Sequence, residues 1–151
     1  CFLKPVVNLA WKSYRSIDIN NPFNTSINPN FATMKKIYYL STCSTCARII
    51  KEIKPTKDFV FQDIKTDKIT PKQLDEMKEL SGSYASLFSK AALKFRVLGL
   101  HEQTLEEQDY RQHILDEYTF LRRPVIILNG KIFIGNSPQT IVAAKAEIAQ
   151  K

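Results

Sequence analysis

The clearest change of pattern along the chain lies between residues 37 and 53. Residues 37–40 form a short run of isoleucine, tyrosine and leucine, which is the composition of a buried β-strand. After a polar pair, apolar residues recur at positions 46, 49, 50 and 53, and this spacing predicts a helix that begins near Cys43. The pattern therefore predicts a strand followed directly by a helix, with Cys43 and Cys46 at the turn between them.

The middle of the chain predicts a second strand and three helical regions. Residues 59–64 have strand composition, and the helix after them begins with a capping box of Thr70 and Gln73 and stops at Gly82. Residues 83–98 are predicted as a shorter helical region, with residues such as Ala91 on its buried side. A further capping box that starts at Thr104 predicts a helix that runs to about residue 118.

The last third of the chain predicts a hairpin and a closing helix. Residues 125–128 and 132–134 are apolar and β-branched, and Asn129-Gly130 between them is a strong signal for a two-residue turn. Ser137-Pro138 then predicts the start of a final helix. The order β-α-β, helical insertion, β-β-α predicts an α/β protein with a thioredoxin-like fold and a mixed four-stranded sheet.

The two cysteines at the strand-to-helix turn differ in their expected chemistry. The unpaired N–H groups and the dipole of a helix N-terminus favour an anion, so we expect a lowered pKa for the Cys43 thiol. Cys46 lies one turn further along and is predicted to be more buried, which suits the thiol that resolves a mixed disulfide. The C-x-x-C pair thus predicts a redox-active dithiol.

The cysteine pair is also compatible with a metal site or with a purely structural role. As half of a zinc site, the cysteine pair would need two more ligands at a suitable spacing. Cys1 is distant in sequence, and His101 and His113 form no second paired motif. We therefore expect no metal. The cysteines could instead be two ordinary core residues, although the strand-then-helix context is the one that a redox motif requires.

Composition and charge narrow the class of protein. The chain has 151 residues, of which 44% are hydrophobic, and this is enough for one domain with a real core. The formal charge is +7, but basic residues are scattered among acidic ones, so direct nucleic-acid binding is not expected. No apolar run approaches the length of a membrane span. Cysteines in a redox spacing favour the reducing cytoplasm.

Residues 1–33 have a different composition from the rest. They hold no glycine, three prolines and five asparagines between positions 20 and 30, without a sustained helical or strand period, so we expect them to lie outside a domain formed by residues 34–151. Met34 directly precedes the first strand and looks like the natural first residue of the protein. The upstream residues would then be read-through from an extended open reading frame. Alternatively, Cys1 would carry the lipid of a processed lipoprotein.

Residues 34–151 resemble the family that joins the glutaredoxin-like arsenate reductases (ArsC) and the redox regulator Spx. The resemblance rests on three segments taken together: IYYLSTCSTC at the end of the first strand, LRRPVII before the hairpin, and the hairpin that ends in Gly135 before a helix. It implies that Cys43 is the catalytic thiol and that Pro124 is a cis-proline packed beside it.

The resemblance also implies the remaining site residues. Arg123 takes the place of the family arginine that faces the thiol and binds an oxyanion, a task suited to a planar guanidinium. The residues that we expect to contact the substrate are those of the cysteine turn and of the arginine segment: Thr42, Ser44, Thr45, Arg122 and Pro124. Two further arginines of the arsenate reductases correspond here to Ser89 and, in the hairpin, approximately to Lys131.

Three functions follow from this resemblance. The first is a thiol–disulfide redox enzyme without a bound cofactor, in which glutathione, glutaredoxin or thioredoxin supplies the electrons. The second is an Spx-like redox sensor that binds RNA polymerase. The third is a true arsenate reductase, although the replacement of two anion-binding arginines argues against it.

Overall fold

The computed structural model describes residues 30–150. In this part of the chain, four strands form one sheet in the order β2-β1-β3-β4. The strands are β1 (Lys35–Tyr39), β2 (Val60–Asp63), β3 (Val125–Leu128) and β4 (Lys131–Ile134). β1 and β2 run parallel, whereas the β1–β3 and β3–β4 pairs are antiparallel. The predicted mixed four-stranded sheet is confirmed.

Seven α-helices surround this sheet in the described residues. They are α1 (Asn30–Thr33), α2 (Ser44–Ile53), α3 (Pro71–Ser81), α4 (Tyr84–Leu87), α5 (Leu93–Val97), α6 (Glu107–Asp116) and α7 (Pro138–Ala149). Two single-turn 3-10 helices, Leu100–Glu102 and Tyr118–Phe120, flank α6. The segment from α3 to the second 3-10 helix is the helical insertion expected between the two halves of the fold.

The sheet has a hydrophobic core on each face because successive side chains of a strand point to opposite sides. Ile37 of β1 belongs to the core that contains Ile49 of α2 and Ile141 of α7. Tyr38, the next residue, belongs to the core formed with the helical insertion, which includes Met77 of α3 and Ile114 of α6. The carboxyl end of β1 therefore lies between the helices that cover the two faces of the sheet.

Several local predictions hold in detail. Thr70 and Gln73 form the predicted capping box of α3, and Gly82 ends the helix in the left-handed region at φ 89°. Asn129 and Gly130 both have positive φ, as a type I′ hairpin turn requires. The first two strands differ slightly in extent from the prediction, since β1 begins at Lys35 and β2 covers only four residues.

The single helical region predicted for residues 83–98 is wrong. The structure has two short helices, α4 and α5, separated by Phe88, which forms a β-bridge with Leu121, and by a turn at residues 90–91. The N–H of Ser89 donates to the carbonyl of Phe120 at 2.7 Å. These bonds to a distant segment replace the bonds that a continuous helix would have made, and they leave Ala91 exposed rather than buried.

The predicted cap of the next helix is also wrong. α6 begins two residues later than expected, with a capping box formed by Glu106 and Asp109. Glu107 was expected to close a box with Thr104, but its carboxylate instead accepts hydrogen bonds from the N–H groups of Tyr84 and Ala85 at 2.6 and 3.3 Å. A carboxylate that caps α4 is not available to Thr104.

The helix α1 adds a piece to the domain that we expected to begin at Met34. Phe31 is only 2% exposed and is one of the largest fully buried side chains, and α1 packs against β3. Residues 30–33 are therefore part of the packed domain. Residues 1–29, including Cys1, lie outside the described residues, so the predictions made for them stay predictions.

Candidate active site

Cys43 occupies the N-terminal cap of α2. Its backbone is extended (φ −96°, ψ 109°), and its N–H donates to the carbonyl of Leu40 at 3.0 Å, which closes the turn after β1. The carbonyl of Cys43 accepts from the N–H of Ala47 at 3.1 Å and so begins the helix. The half-buried thiol thus lies at the positive end of a ten-residue helix.

The pKa of the Cys43 thiol is lowered. Partial burial raises it, but this effect is outweighed by interactions of the thiolate with the backbone N–H and the thiol of Cys46, with the guanidinium of Arg123 and with the backbone N–H of Thr45. Cys43 is therefore the thiol that ionises first. A lowered pKa at a helix N-terminus is typical of nucleophilic cysteines.

Cys46 has the opposite character. It is fully buried, and burial together with the neighbouring Cys43 raises the pKa of its thiol to about 11. Both cysteines are free thiols in the structure. One turn of helix thus holds an ionisable, partly exposed thiol above a buried, protonated one.

Arg123 reaches the site from the other side, through the pairing of β1 with β3. The register places Tyr38 opposite Val125, so the residues before Val125 lie beside the turn that carries Cys43. The Arg123–Pro124 peptide bond is cis, as the family resemblance implies. This is how two segments about eighty positions apart in sequence meet at one sulfur.

Backbone and side-chain contacts hold Arg123 without neutralising its charge. Its Nη1 donates to the carbonyl oxygen of Thr119 at 3.1 Å. The N–H and hydroxyl of Thr119 donate to Glu117 Oε1 at 3.3 and 3.0 Å, and the carboxylate of Glu117 pairs with Lys94. Because Glu117 forms its ion pair with Lys94, the positive charge of Arg123 stays available to the thiolate.

A cavity of about 280 Å³ opens at the Cys43 thiol. Its walls come from the cysteine turn, the insertion, the arginine segment and the residues after β4: Cys43, Thr45, Ser89, Ala91, Leu121, Arg122, Arg123, Gly135 and Asn136. The lining contains two guanidinium groups and no carboxylate. The cavity is consequently suited to an anionic or polarisable reactant.

Arg122 packs against Gly135. A Cβ at Gly135 would lie 3.7 Å from both Nε and Nη2 of Arg122, so the guanidinium covers the glycine. Gly135 has φ +85° and its N–H donates to the carbonyl of Pro124 at 2.9 Å. The left-handed conformation favours glycine here, and the missing side chain leaves the arginine room beside the cavity.

The remaining predicted contact residues have different positions. Thr45 lines the cavity, whereas Thr42 and Ser44 are exposed and lie outside its lining. Pro124 is buried and also lies outside the lining. Asn136 is a lining residue that sequence reasoning missed, and its position directly after the hairpin glycine is the only signal that could have indicated it.

The described residues contain no group of three or more histidine, cysteine, aspartate and glutamate side chains that could hold a metal ion. Among the helices of residues 30–150, none is long and apolar enough to cross a membrane.

Comparison with protein families gives a match to the ArsC family over residues 38–144. The chain belongs to the ArsC family. The matched range contains the cysteine turn, the arginine segment, the cis-proline and the hairpin. Family membership supports a thiol redox protein. A search of curated proteins found no match.

Solved structures show the same fold. An arsenate reductase from Vibrio cholerae is 16% identical with a TM-score of 0.60, and the match covers 75% of this chain and 98% of that chain. An arsenate reductase (ArsC) related protein from Brucella melitensis is 22% identical, with a TM-score of 0.58 and coverage of 74% and 94%. A Streptococcus mutans protein described as a possible arsenate reductase is 25% identical, with a TM-score of 0.55 and coverage of 66% and 87%.

Ser89 and Lys131 were expected at the places of two anion-binding arginines of the ArsC family, and the structure corrects the second of these assignments. Ser89 lines the cavity, as expected from its correspondence. Lys131 does not, because it pairs with Leu128 at the end of β3 remote from Val125 and binds Glu147 Oε2 at 2.7 Å. Directly after the hairpin, Gly135 and Asn136 line the cavity instead.

Proposed function

We propose that this ArsC-family protein is a thiol–disulfide oxidoreductase in which Cys43 is the nucleophile and Cys46 the resolving thiol. The observation that carries the proposal is the contrast between the two thiols. Cys43 lies at a helix N-terminus beside Arg123 and has a lowered pKa, whereas Cys46 is buried one turn away with a pKa of about 11.

The first step is attack by the Cys43 thiolate on one sulfur of a disulfide R–S–S–R′. A bond forms between Cys43 Sγ and the sulfur of R, the S–S bond breaks, and R′S⁻ leaves and takes up a proton. Arg123 holds Cys43 as the thiolate, and the cavity gives the substrate access to the sulfur. The Arg123 guanidinium also stabilises the negative charge of R′S⁻ as it leaves.

The second step resolves the mixed disulfide. Cys46 loses its proton and attacks Cys43 Sγ, so that RS⁻ leaves and a Cys43–Cys46 disulfide forms. The substrate gains two electrons and the protein loses two. The charge and the hydrogen bond of Cys43 both contribute to the raised pKa of Cys46, and both vanish when Cys43 is in the mixed disulfide. Formation of the adduct therefore favours ionisation of Cys46.

The cycle requires an external reductant and no bound cofactor. Two glutathione molecules, or one dithiol protein such as glutaredoxin or thioredoxin, would return two electrons by the same exchange chemistry. A reducing compartment such as the cytoplasm would supply them.

Trapping of the intermediate tests this function. In a Cys1→Ser background, which removes the third cysteine, Cys46→Ser should accumulate a mixed disulfide with 2-hydroxyethyl disulfide, visible as a mass increase of one hydroxyethylthio group, whereas Cys43→Ser should not. The wild-type protein should reduce the same disulfide when glutathione or thioredoxin with its reductase is present. Equal turnover by Cys43→Ser and wild type would contradict the proposal.

Arsenate reduction is a second candidate, favoured by the two guanidinium groups that line the cavity. Arg122 and Arg123 could hold one oxyanion next to the thiolate. The three solved structures described above carry names that refer to arsenate reductases. The neutral residues Ser89 and Asn136 provide fewer charge-assisted donors than arginines would, and we expect arsenate to be the poorer substrate.

A further inference from the structure

Glu117 lies at the junction between α6 and the 3-10 helix Tyr118–Phe120. Its N–H donates to the carbonyl of His113 and ends α6, and its carbonyl accepts from the N–H of Phe120, both at 3.0 Å. Its side chain is only 17% exposed. A carboxylate so largely removed from water needs partners for its charge, and the identity of these partners shows what Glu117 holds in place.

The two carboxylate oxygens of Glu117 have separate partners. Oε1 accepts hydrogen bonds from the N–H and the hydroxyl of Thr119 at 3.3 and 3.0 Å. Oε2 pairs with the ammonium group of Lys94 on α5. Lys94 first, and Thr119 after it, keep the pKa of the Glu117 carboxyl below its ordinary value. The carboxylate is therefore ionised at neutral pH and held from two sides.

The backbone of Thr119 depends on this carboxylate. The next residue, Phe120, is held by a backbone bond, since its carbonyl accepts from the N–H of Ser89 at 2.7 Å. No backbone carbonyl among residues 30–150 accepts from the N–H of Thr119. Glu117 supplies the missing acceptor and so fixes the turn just before the arginine segment.

Thr119 in turn is the anchor of Arg123. Its carbonyl accepts from Nη1 of Arg123 at 3.1 Å. Within the described residues, no other group except the Cys43 sulfur accepts a hydrogen bond from this guanidinium. An arginine side chain has many rotamers, and holding it in one of them costs conformational entropy. The place of the guanidinium at the sulfur therefore depends on a single backbone oxygen.

We propose that Glu117 is a positioning residue for the chemistry of Cys43, because it fixes Thr119, whose carbonyl holds the Arg123 guanidinium at the thiol. Lys94 completes the arrangement, since its ion pair keeps the charge of Glu117 from attracting Arg123 away from the sulfur. Glu117 is not part of the cavity lining. This inference rests on the proposed thiol exchange, in which Arg123 keeps the nucleophile ionised.

The proposal predicts an effect opposite in sign to that of charge alone. The groups that act on the Cys43 thiolate are Arg123, the N–H and thiol of Cys46 and the N–H of Thr45, and Arg122 lines the same cavity. Removal of a distant carboxylate makes the surroundings more positive, which by itself lowers the pKa of a thiol. Removal of the anchor of the guanidinium raises that pKa, because the cation then spends less time at the sulfur.

Alkylation of Cys43 with iodoacetamide tests the proposal without any disulfide exchange. In a Cys1→Ser, Cys46→Ser background, Glu117→Ala should raise the pKa of Cys43. Below that pKa it should slow alkylation about threefold, within the range for one lost hydrogen bond. Glu117→Gln removes the charge but keeps an acceptor for the N–H of Thr119, so it should recover most of the rate.

Three comparisons separate positioning from other causes. At about pH 10, where a free thiol is ionised, Glu117→Ala should react as fast as the background, whereas blocked access to the sulfur would slow alkylation at every pH. When Arg123→Gln is already present, Glu117→Ala should cause no further slowing, because the group that it positions is gone. Glu102→Ala removes a carboxylate that is 79% exposed and, as the matched control, should leave the rate unchanged.

Several outcomes would overturn the positioning role. They are an unchanged or faster reaction of Glu117→Ala below the pKa of Cys43, equal slowing by Glu117→Ala and Glu117→Gln, equal slowing at every pH, and equal slowing with and without Arg123. If Glu117→Ala is partly unfolded at the assay temperature, Thr119→Ala decides instead. It removes one donor to Glu117 and should slow alkylation about twofold, the lower limit for one hydrogen bond, and an unchanged rate would overturn the role.

Turnover separates this inference from the function on which it rests. With 2-hydroxyethyl disulfide as substrate, the kcat/KM of Glu117→Ala should fall by the same factor as its alkylation rate at the same pH. Normal turnover with an unchanged pKa of Cys43 would overturn the role of Glu117 and leave thiol exchange intact. Absence of Cys43-dependent turnover in the wild type would contradict the proposed function, and the alkylation rates would still decide whether Glu117 positions Arg123.

Discussion

Cys46 lies one helical turn after Cys43, and the pKa values of the two thiols move in opposite directions. The cap position of Cys43 exposes its sulfur to backbone N–H groups and to Arg123, whereas Cys46 is buried in the core between the sheet and the insertion. Position within a single turn of helix thus assigns different chemistry to two identical side chains.

The first prediction concerns the pH dependence of alkylation. Because the pKa of Cys43 is lowered, its iodoacetamide rate should reach half of its maximum below the ordinary free-thiol value of about 8.5. Cys46 should reach half-maximum above that value, because burial, the largest cause of its raised pKa, persists when Cys43 is replaced. In a Cys1→Ser background, Cys46→Ser follows Cys43 and Cys43→Ser follows Cys46, and indistinguishable titration curves would contradict the prediction.

The second prediction concerns Arg123. Its guanidinium stabilises the Cys43 thiolate, so Arg123→Gln should raise the pKa of Cys43 and slow its alkylation at pH 7 roughly tenfold, the scale of a lost charge-assisted hydrogen bond. Arg123→Lys keeps the charge and should recover part of the rate. Arg96→Gln, which removes an exposed arginine of α5, is the control, and an equal loss there would point to net charge rather than to contact.

The third prediction concerns arsenate. Glutathione-coupled arsenate turnover should be weak in the wild type, because Ser89 and Asn136 leave two positions of the cavity wall uncharged. The double change Ser89→Arg and Asn136→Arg should raise it by an order of magnitude or more. Lys131→Ala should leave arsenate turnover unchanged, since Lys131 binds Glu147 at the far end of the hairpin. Strong turnover by the wild type would show that Arg122 and Arg123 suffice.

The fourth prediction concerns the start of the domain. Phe31 is fully buried against the sheet, so Phe31→Ala should reduce the free energy of unfolding by roughly 3–5 kcal/mol. A chain shortened to begin at Met34 should melt well below one that begins at Asn30. Equal melting temperatures would show that α1 contributes little. The melting temperatures of these two chains therefore test whether the domain starts at Asn30 or, as the sequence predicts, at Met34.

Local sequence determined the elements whose causes are local. The apolar run, the change to helical spacing and the C-x-x-C pair placed Cys43 at a helix N-terminus. Asn129-Gly130 specified the hairpin turn, because only a few residues accept positive φ at both positions. The capping box at Thr70 specified the start of α3. In each case the physical cause lies within a few residues of its effect.

The tertiary structure decided everything that depends on partners distant in sequence. The helix stops at Leu87 because the backbone of residues 87–89 pairs with residues 120–122, and Glu107 caps α4 instead of its own helix. The first of these pairings brings Ser89 to the cavity, and the β3–β4 register places Asn136 there and Lys131 at the far end of the hairpin. Local propensity is worth tenths of a kcal/mol per residue, whereas a buried backbone group without a partner costs more than that, so long-range hydrogen bonds set the walls of the site.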